Sequence, residues 1–539
     1  MKMIKNIMKY IMTTLCVVLA VALLYASYWS DITFGQVPFD QILFHLMVPL
    51  EGADNSLVLS YLKGTLLWIG IAMLVFYVPV VVECSSFSHR KEREQKEREQ
   101  KESEQKESEQ KEQGQKKKCI NRVRKYVQVS RKFYVRHIVA FASIFLSFAL
   151  VWDVIDFQII DYVRYQLQTT NLYEKEYVDS KQAGVKFPEE KKNLIIIVME
   201  SMEATFADEE SGGAMRENLI PNLTRLAKEH THFSMNNQLQ GAFQMPGTGW
   251  TIAGIMAQTA GIPMSLPIGQ NSYGKYKDFM PGLTTMGELL EAQGYTNEFM
   301  IGSEAAFAGM GKYFETHGNY KIFDYDTAIE RGYIDEDYYE FWGFEDMKLY
   351  EYAKLELETL AKEEQPFHMI INTIDTHTPT GYKCKECKRK FGNVYKNVIH
   401  CADRQVNRFV EWLEEQPFYE DTVVVIVGDH LSMSTRVEEY MKDSVGEEHI
   451  DDYERTAYNV IINSKLQTSY SKNRTFSTMD MYPTILASIG CEIPGERLGL
   501  GTNLYSGKKT LMEEMGAEAF KEELKKNSKF YNQTLVKGK

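Results

Sequence analysis

The sequence is poor in features that mark several classes of protein. It has no excess of positive charge, with 61 Lys and Arg against 74 Asp and Glu and a net charge of −13. No domain-wide basic face is therefore available to bind nucleic acid. Seven cysteines in 539 residues do not make a disulfide scaffold. The length predicts one or two globular units with appended segments.

Long apolar runs are present, and they all lie in the first 155 residues. Residues 11–29 and 64–82 carry no charge and are long enough to cross a bilayer, which needs ~20 residues. Residues 138–152 form a third, shorter run. No convincing small-residue cleavage site follows the first run, which argues against a removable signal peptide. We predict a multi-pass membrane anchor over residues 1–155 with three transmembrane helices.

The distribution of lysine and arginine predicts how the anchor is oriented. Residues 30–61 contain neither, whereas the loop 83–137 is rich in both. Because positively charged loops stay in the cytoplasm, we expect loop 83–137 inside the cell and everything after the third run outside. A Lys/Glu repeat at 91–115 is expected to be a solvated single helix or a disordered tether. A juxtamembrane helix and linker are predicted for 156–192.

Residues 193–514 alternate apolar runs with helical patterns, which is typical of an α/β domain. Such alternation predicts a doubly wound sheet covered by helices. The remaining residues, 515–539, are expected to form a charged tail. The predicted strands are 193–199, 296–301, 367–374, 422–427 and 458–463.

Side chains that can bind a metal follow two of these strands. Glu200 comes directly after strand 193–199, and Asp429 and His430 follow strand 422–427. In open α/β sheets ligands bind at the carboxyl ends of the strands. Either group alone could simply solvate the end of a strand. The two together favour a metal site.

Two more residues belong with this predicted site. Thr251 follows a tight turn and begins a small, apolar helical pattern, so its hydroxyl suits either an N-cap or a nucleophile that attacks an anion. A threonine nucleophile needs a metal or a base to activate it. His377 follows strand 367–374 and would lie at the same sheet edge. It is interpreted as a structural residue or as a contact for an anion or a proton.

Three cysteines cluster in the sequence, Cys384, Cys387 and Cys401. A zinc site is one interpretation of this spacing. Outside the cell, a disulfide between Cys401 and one of the other two is the preferred interpretation. The acidic, aromatic stretch 324–346 is expected to be a solvated loop, with a sugar-binding acceptor surface as the alternative.

The order of these motifs resembles the sulfatase-like transferases of the alkaline phosphatase superfamily. Within them, the chain is most similar to the membrane phosphoglycerol transferases. These include lipoteichoic acid synthases and the enzymes that add phosphoglycerol to periplasmic glucans, and the similarity is closest to the latter. The segments that carry the resemblance are Glu200-Ser201, Pro246–Gly254, Asp375–His377, Gly428–His430, Asp480–Leu486 and Leu498–Gly501.

The resemblance implies a role for each residue of the predicted site. Thr251 would be the catalytic nucleophile, and His377 would contact the substrate phosphate. One Mn²⁺ or Mg²⁺ ion is implied, which agrees with a ligand set dominated by oxygen. The implied metal ligands are Glu200, Thr251, Asp429 and His430.

The chain departs from the family at one position that matters for the substrate. Family members often carry a phosphate-binding arginine near the stretch 302–309. This sequence has Ala305 and Ala306 there, and Lys312 is the nearest base. Lys312 is therefore the candidate substrate contact in this region.

The function implied is metal-dependent transfer of phosphoglycerol from phosphatidylglycerol to a cell-envelope glycan or teichoic acid. The transfer would pass through a covalent threonine intermediate, in the cell membrane and on its outer side. Alternatives on the same fold are a phosphoethanolamine transferase or a sulfatase. No Cys/Ser-x-Pro-x-Arg setting surrounds Thr251, which weakens the sulfatase. A catalytically inert membrane protein that binds envelope glycans is a further alternative, which the intact ligand set disfavours.

Overall fold

The structure, a computed structural model, describes residues 2–47, 55–101, 114–265 and 278–539. The chain divides into two compact units. The first consists of residues 1–30 and 55–157, and the second of residues 31–54 and 158–539. The predicted anchor of residues 1–155 therefore differs from the first unit, because the segment that begins at Asp31 groups with the second.

Apolar helices dominate the first unit. Helix α1 spans Lys2–Phe34, α3 spans Asn55–Lys101 and α4 spans Gly114–Asp156. In the described part of the chain, three helices are long and apolar enough to cross a membrane. The predicted apolar helices are thus confirmed, and the chain is a membrane protein. About half of the predicted Lys/Glu repeat at 91–115 lies outside the described residues, since residues 102–113 are not described.

A mixed sheet forms the centre of the second unit. Its strand order is β3-β2-β4-β1-β5-β6, with β6 antiparallel to β5 and the other pairs parallel. A short antiparallel hairpin, β7-β8, lies apart from it. The strands are β1 Asn193–Met199, β2 Thr296–Ile301, β3 Lys321–Phe323, β4 Phe367–Asn372, β5 Thr422–Gly428, β6 Asn459–Ile462, β7 Arg497–Leu498 and β8 Gly501–Thr502.

Helices cover both faces of this sheet. Alternate side chains of β1 show why: Leu194, Ile196 and Val198 belong to one apolar core, and the residues between them to a second. A strand buried on both faces needs apolar residues at every position. The predicted doubly wound α/β fold is confirmed. The helices are α2 Phe39–Met47, α5 Ile159–Leu167, α6 Leu172–Glu176, α7 Pro221–Glu229, α8 Thr251–Ala260, α9 Met286–Glu291, α10 Met310–Thr316, α11 Tyr325–Glu330, α12 Asp346–Leu360, α13 Val394–Glu414, α14 Arg436–Val445, α15 Met481–Ser488, α16 Leu511–Met515 and α17 Ala517–Lys525.

The sheet contains one strand that the sequence did not predict. Strand β3 has three residues and pairs with β2 at the edge of the sheet. Lys321 is exposed and Ile322 half-buried. So short a strand, with one polar residue, leaves no periodic pattern to recognise.

The charged C-terminal residues include α17, which packs against the second unit. Phe520 and Leu524 of α17 are buried in the core of the second unit. Tyr531 is also buried, and its ring lies 5.2 Å from that of Tyr173 in α6. The charges of α17 occupy one side of an amphipathic helix, and its spaced apolar residues attach it to the domain.

Candidate active site

The predicted metal ligands meet at the carboxyl edge of the sheet. Strands β1 and β5 are parallel neighbours in a register that pairs Met199 with Gly428. The residues that follow these two, Glu200 on one strand and Asp429 and His430 on the other, are therefore adjacent. All three side chains are buried. We call Glu200, Asp429 and His430 the edge cluster.

Hydrogen bonds orient the edge cluster so that ligand atoms point at one another. Asp429 Oδ1 accepts from the backbone N–H groups of Ser201 and His430, both at 2.8 Å. His430 Nδ1 lies 2.8 Å from the carbonyl of Leu431, so Nδ1 carries the proton and Nε2 is left as the ligand atom. Nε2 lies 3.3 Å from Asp429 Oδ2 and 3.6 Å from Glu200 Oε1.

Two of these inward atoms lack hydrogen-bond partners. Asp429 Oδ2 and His430 Nε2 are buried and accept or donate no hydrogen bond within the described residues. Buried polar atoms are nearly always paired, and exceptions ask for an explanation such as an ion. One nitrogen and the carboxylate oxygens together form a donor set that divalent cations bind. The residues present thus fit a metal ion.

The electrostatics of the edge cluster favour a cation in the same place. Burial raises the pKa of Asp429, and the nearby charge of Glu200 raises it further. Burial alone would lower the pKa of His430, but Asp429 and Glu200 outweigh it and raise that pKa. Two carboxylates at close range repel each other unless a proton or a metal ion lies between them.

Thr251 lies beside the edge cluster at the first position of α8. Its Oγ1 donates to Glu200 Oε2 at 3.2 Å. The close approach of α8 depends on Gly254, because a Cβ there would lie 2.3 Å from the carbonyl oxygen of Asp429. A small residue therefore lets the N-terminus of α8 reach the cluster, with its free amide donors directed at any bound anion.

Thr248, three residues earlier, has a different environment. Its hydroxyl is buried, donates to the carbonyl of Met245 and accepts from the N–H of the same residue, both at 2.9 Å. These bonds close the turn that precedes α8. The hydroxyl of Thr248 is fully used within the turn, whereas the hydroxyl of Thr251 is directed at Glu200.

The pKa of Glu200 is lowered, because the raising effect of burial is outweighed by His430 and then by His377, which lies near the edge cluster. The ring of His377 packs at 5.0 Å against Trp342. The sequence predicted a solvated loop for the acidic stretch 324–346. Trp342 is buried, so this stretch is not solvated along its whole length. Lys312 lies on α10 with a half-buried side chain. It is not a member of the edge cluster, and its contact with substrate stays a prediction.

Helix α2 contributes to the site, and sequence reasoning missed it. Phe44 is fully buried, with its ring 5.5 Å from that of Trp250, the residue before Thr251. His45 stacks at 6.1 Å on Phe307. Burial, and then the charge of His377, lower the pKa of His45 to about 4. No local pattern links α2 to residues some 200 positions later, so only the fold brings them together.

The three clustered cysteines lie outside the edge cluster. Their side chains are buried. Cys384 Sγ is 3.6 Å from Cys387 Sγ and 3.7 Å from Cys401 Sγ. These are contacts between separate thiols, since a disulfide bond is about 2.05 Å long. The predicted pairing of Cys401 stays a prediction.

A doubly wound sheet with a carboxylate–imidazole cluster at its edge defines a domain of the alkaline-phosphatase type. The profile of the sulfatase family matches residues 192–491, and the chain belongs to this family. Phosphoglycerol transferase I of Escherichia coli (strain SMS-3-5 / SECEC) is 29% identical over 334 residues, which cover 61% of this chain and 41% of that protein. The relative of the same name in Salmonella choleraesuis gives the same values. The match thus spans 41% of the length of these relatives.

Solved structures with a similar fold include a lipoteichoic acid synthase and an integral membrane phosphoethanolamine transferase. The lipoteichoic acid synthase LtaP from Listeria monocytogenes is 20% identical, with 60% of this chain and 79% of that chain covered and a TM-score of 0.45. The lipooligosaccharide phosphoethanolamine transferase EptA from Neisseria meningitidis is 13% identical, with 89% and 83% covered and a TM-score of 0.44.

Metal binding at the edge cluster is expected to strengthen as pH rises. Since neighbouring carboxylates raise the pKa of His430, a proton must leave its ring before Nε2 can bind a metal. The affinity should rise by up to about tenfold per pH unit while one proton is displaced. Calorimetric titration of the full chain with Mn²⁺ in two buffers of different ionisation enthalpy measures this proton release.

Asp429→Asn should weaken this binding by more than ~100-fold, because even indirect partners of a metal ligand change affinity by 10–100-fold. Asp421→Asn is the matched control, since Asp421 is exposed at the opposite end of β5. An affinity that is independent of pH, or equal in the two variants, would contradict the assignment.

Proposed function

We propose that this protein transfers phosphoglycerol from phosphatidylglycerol to a hydroxyl of a cell-envelope glycan or teichoic acid. The observation that carries the proposal is the hydroxyl of Thr251, which donates to Glu200 at the buried edge cluster and lies at the N-terminus of a helix. The name of the curated relatives, phosphoglycerol transferase I, supports the choice of transferred group.

Glu200, Thr251, Asp429 and His430 would hold the metal, one Mn²⁺ or Mg²⁺ ion. When bound, such an ion lowers the pKa of a hydroxyl and offsets phosphate charge.

Each residue of the site has a part in the reaction. Glu200 orients Thr251 Oγ1 through its hydrogen bond. The threonine oxygen attacks phosphorus, the bond from phosphorus to the diacylglycerol oxygen breaks, and the proton lost by the threonine hydroxyl ends on that leaving oxygen. His377 and the N-terminus of α8 bind the phosphate oxygens while charge develops on them. The acceptor hydroxyl then attacks the phosphothreonine, and the threonine oxygen leaves with a proton.

The membrane helices would keep the site near its lipid substrate. Diacylglycerol stays in the bilayer when it leaves, so the phosphorus must be reached at the head-group layer. We place the loop 83–137 in the cytoplasm and the second unit outside, as the lysine and arginine distribution indicates. Tethering the domain at that surface raises the effective concentration of lipid head groups.

Thr251→Ala is expected to abolish release of diacylglycerol from phosphatidylglycerol vesicles. Thr248→Ala should lower the rate of diacylglycerol release by about tenfold or less, because it removes only the hydrogen bonds that close the turn. Product formation by the full chain is measured at matched protein levels, and the melting temperature of each variant confirms that it is folded. The same assay with phosphatidylethanolamine vesicles compares the two candidate donor lipids.

Two results would contradict the proposal. If folded Thr251→Ala keeps an activity near that of the unchanged protein, Thr251 is not the nucleophile. A preference for phosphatidylethanolamine would keep the chemistry but reassign the donor.

Helix α2 would form one wall of the substrate site. Thr378 Oγ1 donates to the carbonyl of Thr33 at 2.8 Å, which fixes the segment before α2 to the residue after His377. His45 then lies near His377, and the low pKa keeps its ring neutral. A neutral imidazole can donate one hydrogen bond to the transferred glycerol or to a phosphate oxygen. The second unit would therefore be incomplete without the segment that follows the first apolar helix.

His45→Ala is expected to lower kcat/KM about tenfold for a soluble glycerophosphodiester, since one hydrogen bond and one wall of the site are lost. Leu46→Ala is the matched control, because the next side chain in α2 is 77% exposed. A soluble substrate excludes effects on lipid contact. Equal activity of the two variants would show that α2 only packs against the domain.

A further inference from the structure

The cysteine cluster is the one candidate ligand group of the described residues that the proposed function leaves unused. Cys384 and Cys387 lie in the loop before α13, and Cys401 projects from α13 itself. Two of the Sγ–Sγ distances are 3.6 and 3.7 Å. The third distance, between Cys387 and Cys401, is at most 4.8 Å.

Tetrahedral zinc binds thiolates at about 2.3 Å, so the corners of its coordination tetrahedron are about 3.8 Å apart. Two of the three sulfur pairs thus already lie close to the separation that zinc requires. A disulfide would need two of the sulfur atoms to move about 1.6 Å closer together. We propose that Cys384, Cys387 and Cys401 bind a Zn²⁺ ion, separate from the metal of the edge cluster.

The groups around the sulfur atoms are suited to thiolates. Gln405 Nε2 lies 3.4 Å from Cys401 Sγ and 3.6 Å from Cys384 Sγ. Arg404 Nη2 donates to Cys401 Sγ at 3.4 Å. N–H donors and a guanidinium stabilise sulfur as an anion, which is the form that binds zinc. A disulfide carries no charge and would gain little from them.

The loop itself supplies more positive charge. Residues 383–390 contain five Lys and Arg. Three thiolates and one Zn²⁺ carry a net charge of −1, which these residues offset. Cys387 is 8% exposed, and a water molecule at this side would complete the tetrahedron.

The site would hold the chain that leads away from the catalytic centre. His377 begins this segment, and the N–H of Gly381 donates to the His377 carbonyl at 2.9 Å. Tyr395, in the first turn of α13, donates to the carbonyl of Thr376 at 3.0 Å. Zinc would join the loop to the middle of α13 and so limit the movement of His377.

Zinc content and thiol state of the full chain test the proposal together. The protein is purified in detergent without chelator or reductant, and its zinc is measured by mass spectrometry. Asp429→Asn is used as the background, so that the edge cluster contributes no metal. About one zinc per chain is expected, and Cys401→Ser in this background should lose it. Cys491→Ser is the matched control, a buried cysteine outside the cluster.

A second measurement does not depend on how well the variants fold. Unchanged protein is denatured with chelator and alkylated without reductant, and all three cysteines should be modified. With Co²⁺ in place of zinc, the unchanged protein should show a thiolate-to-metal charge-transfer band, which the edge cluster cannot give because it contains no cysteine. A disulfide-linked peptide that contains Cys401 would overturn the proposal. So would free thiols that bind neither Zn²⁺ nor Co²⁺ on reloading.

Discussion

The parallel pairing of β1 with β5 is the constraint on which the site depends. Its register brings Glu200 and Asp429 out of the sheet side by side, with His430 next to them, all in a buried position. An uncompensated buried charge costs several kcal/mol even after the surroundings relax. The sheet therefore creates a demand for positive charge at this edge. A metal ion meets that demand better than a shared proton, because it also engages the unpartnered Asp429 Oδ2 and His430 Nε2.

The elements around the edge cluster place side chains where they can contact a substrate bound there. Helix α8 approaches closely because Gly254 has no side chain, and this places the Thr251 hydroxyl and free amide donors beside Glu200. On another side, α2 inserts Phe44 against Trp250. If zinc joins the cysteine loop to α13, the segment after His377 is held as well. Thr251 would then be positioned by α8, and His377 by the cysteine loop, with α2 as a wall of the site.

The sequence predicts the parts of this architecture that have a strong local signal. Strands β1 and β5 are long apolar runs that end in ligand residues, so the pattern of residues alone is enough to infer their shared edge. Thr251 needed the resemblance as well, because a threonine at a helix start is also an ordinary N-cap. Phe44 and Trp342 could not be predicted, since their importance arises from contacts between distant segments. The packing of the C-terminal residues could not be predicted, because frequent charges obscure the spacing of Phe520 and Leu524.

We propose that Thr251 carries the transferred group, and mapping the covalent intermediate is a direct test of this role. The full chain is mixed with phosphatidylglycerol labelled in its head-group glycerol, quenched in acid before acceptor is added, and digested for mass spectrometry. We expect a phosphoglycerol adduct on Thr251 that disappears when acceptor is added and does not form in Asp429→Asn. An adduct on Thr248, or continued turnover with no adduct on the protein at any time, would contradict it.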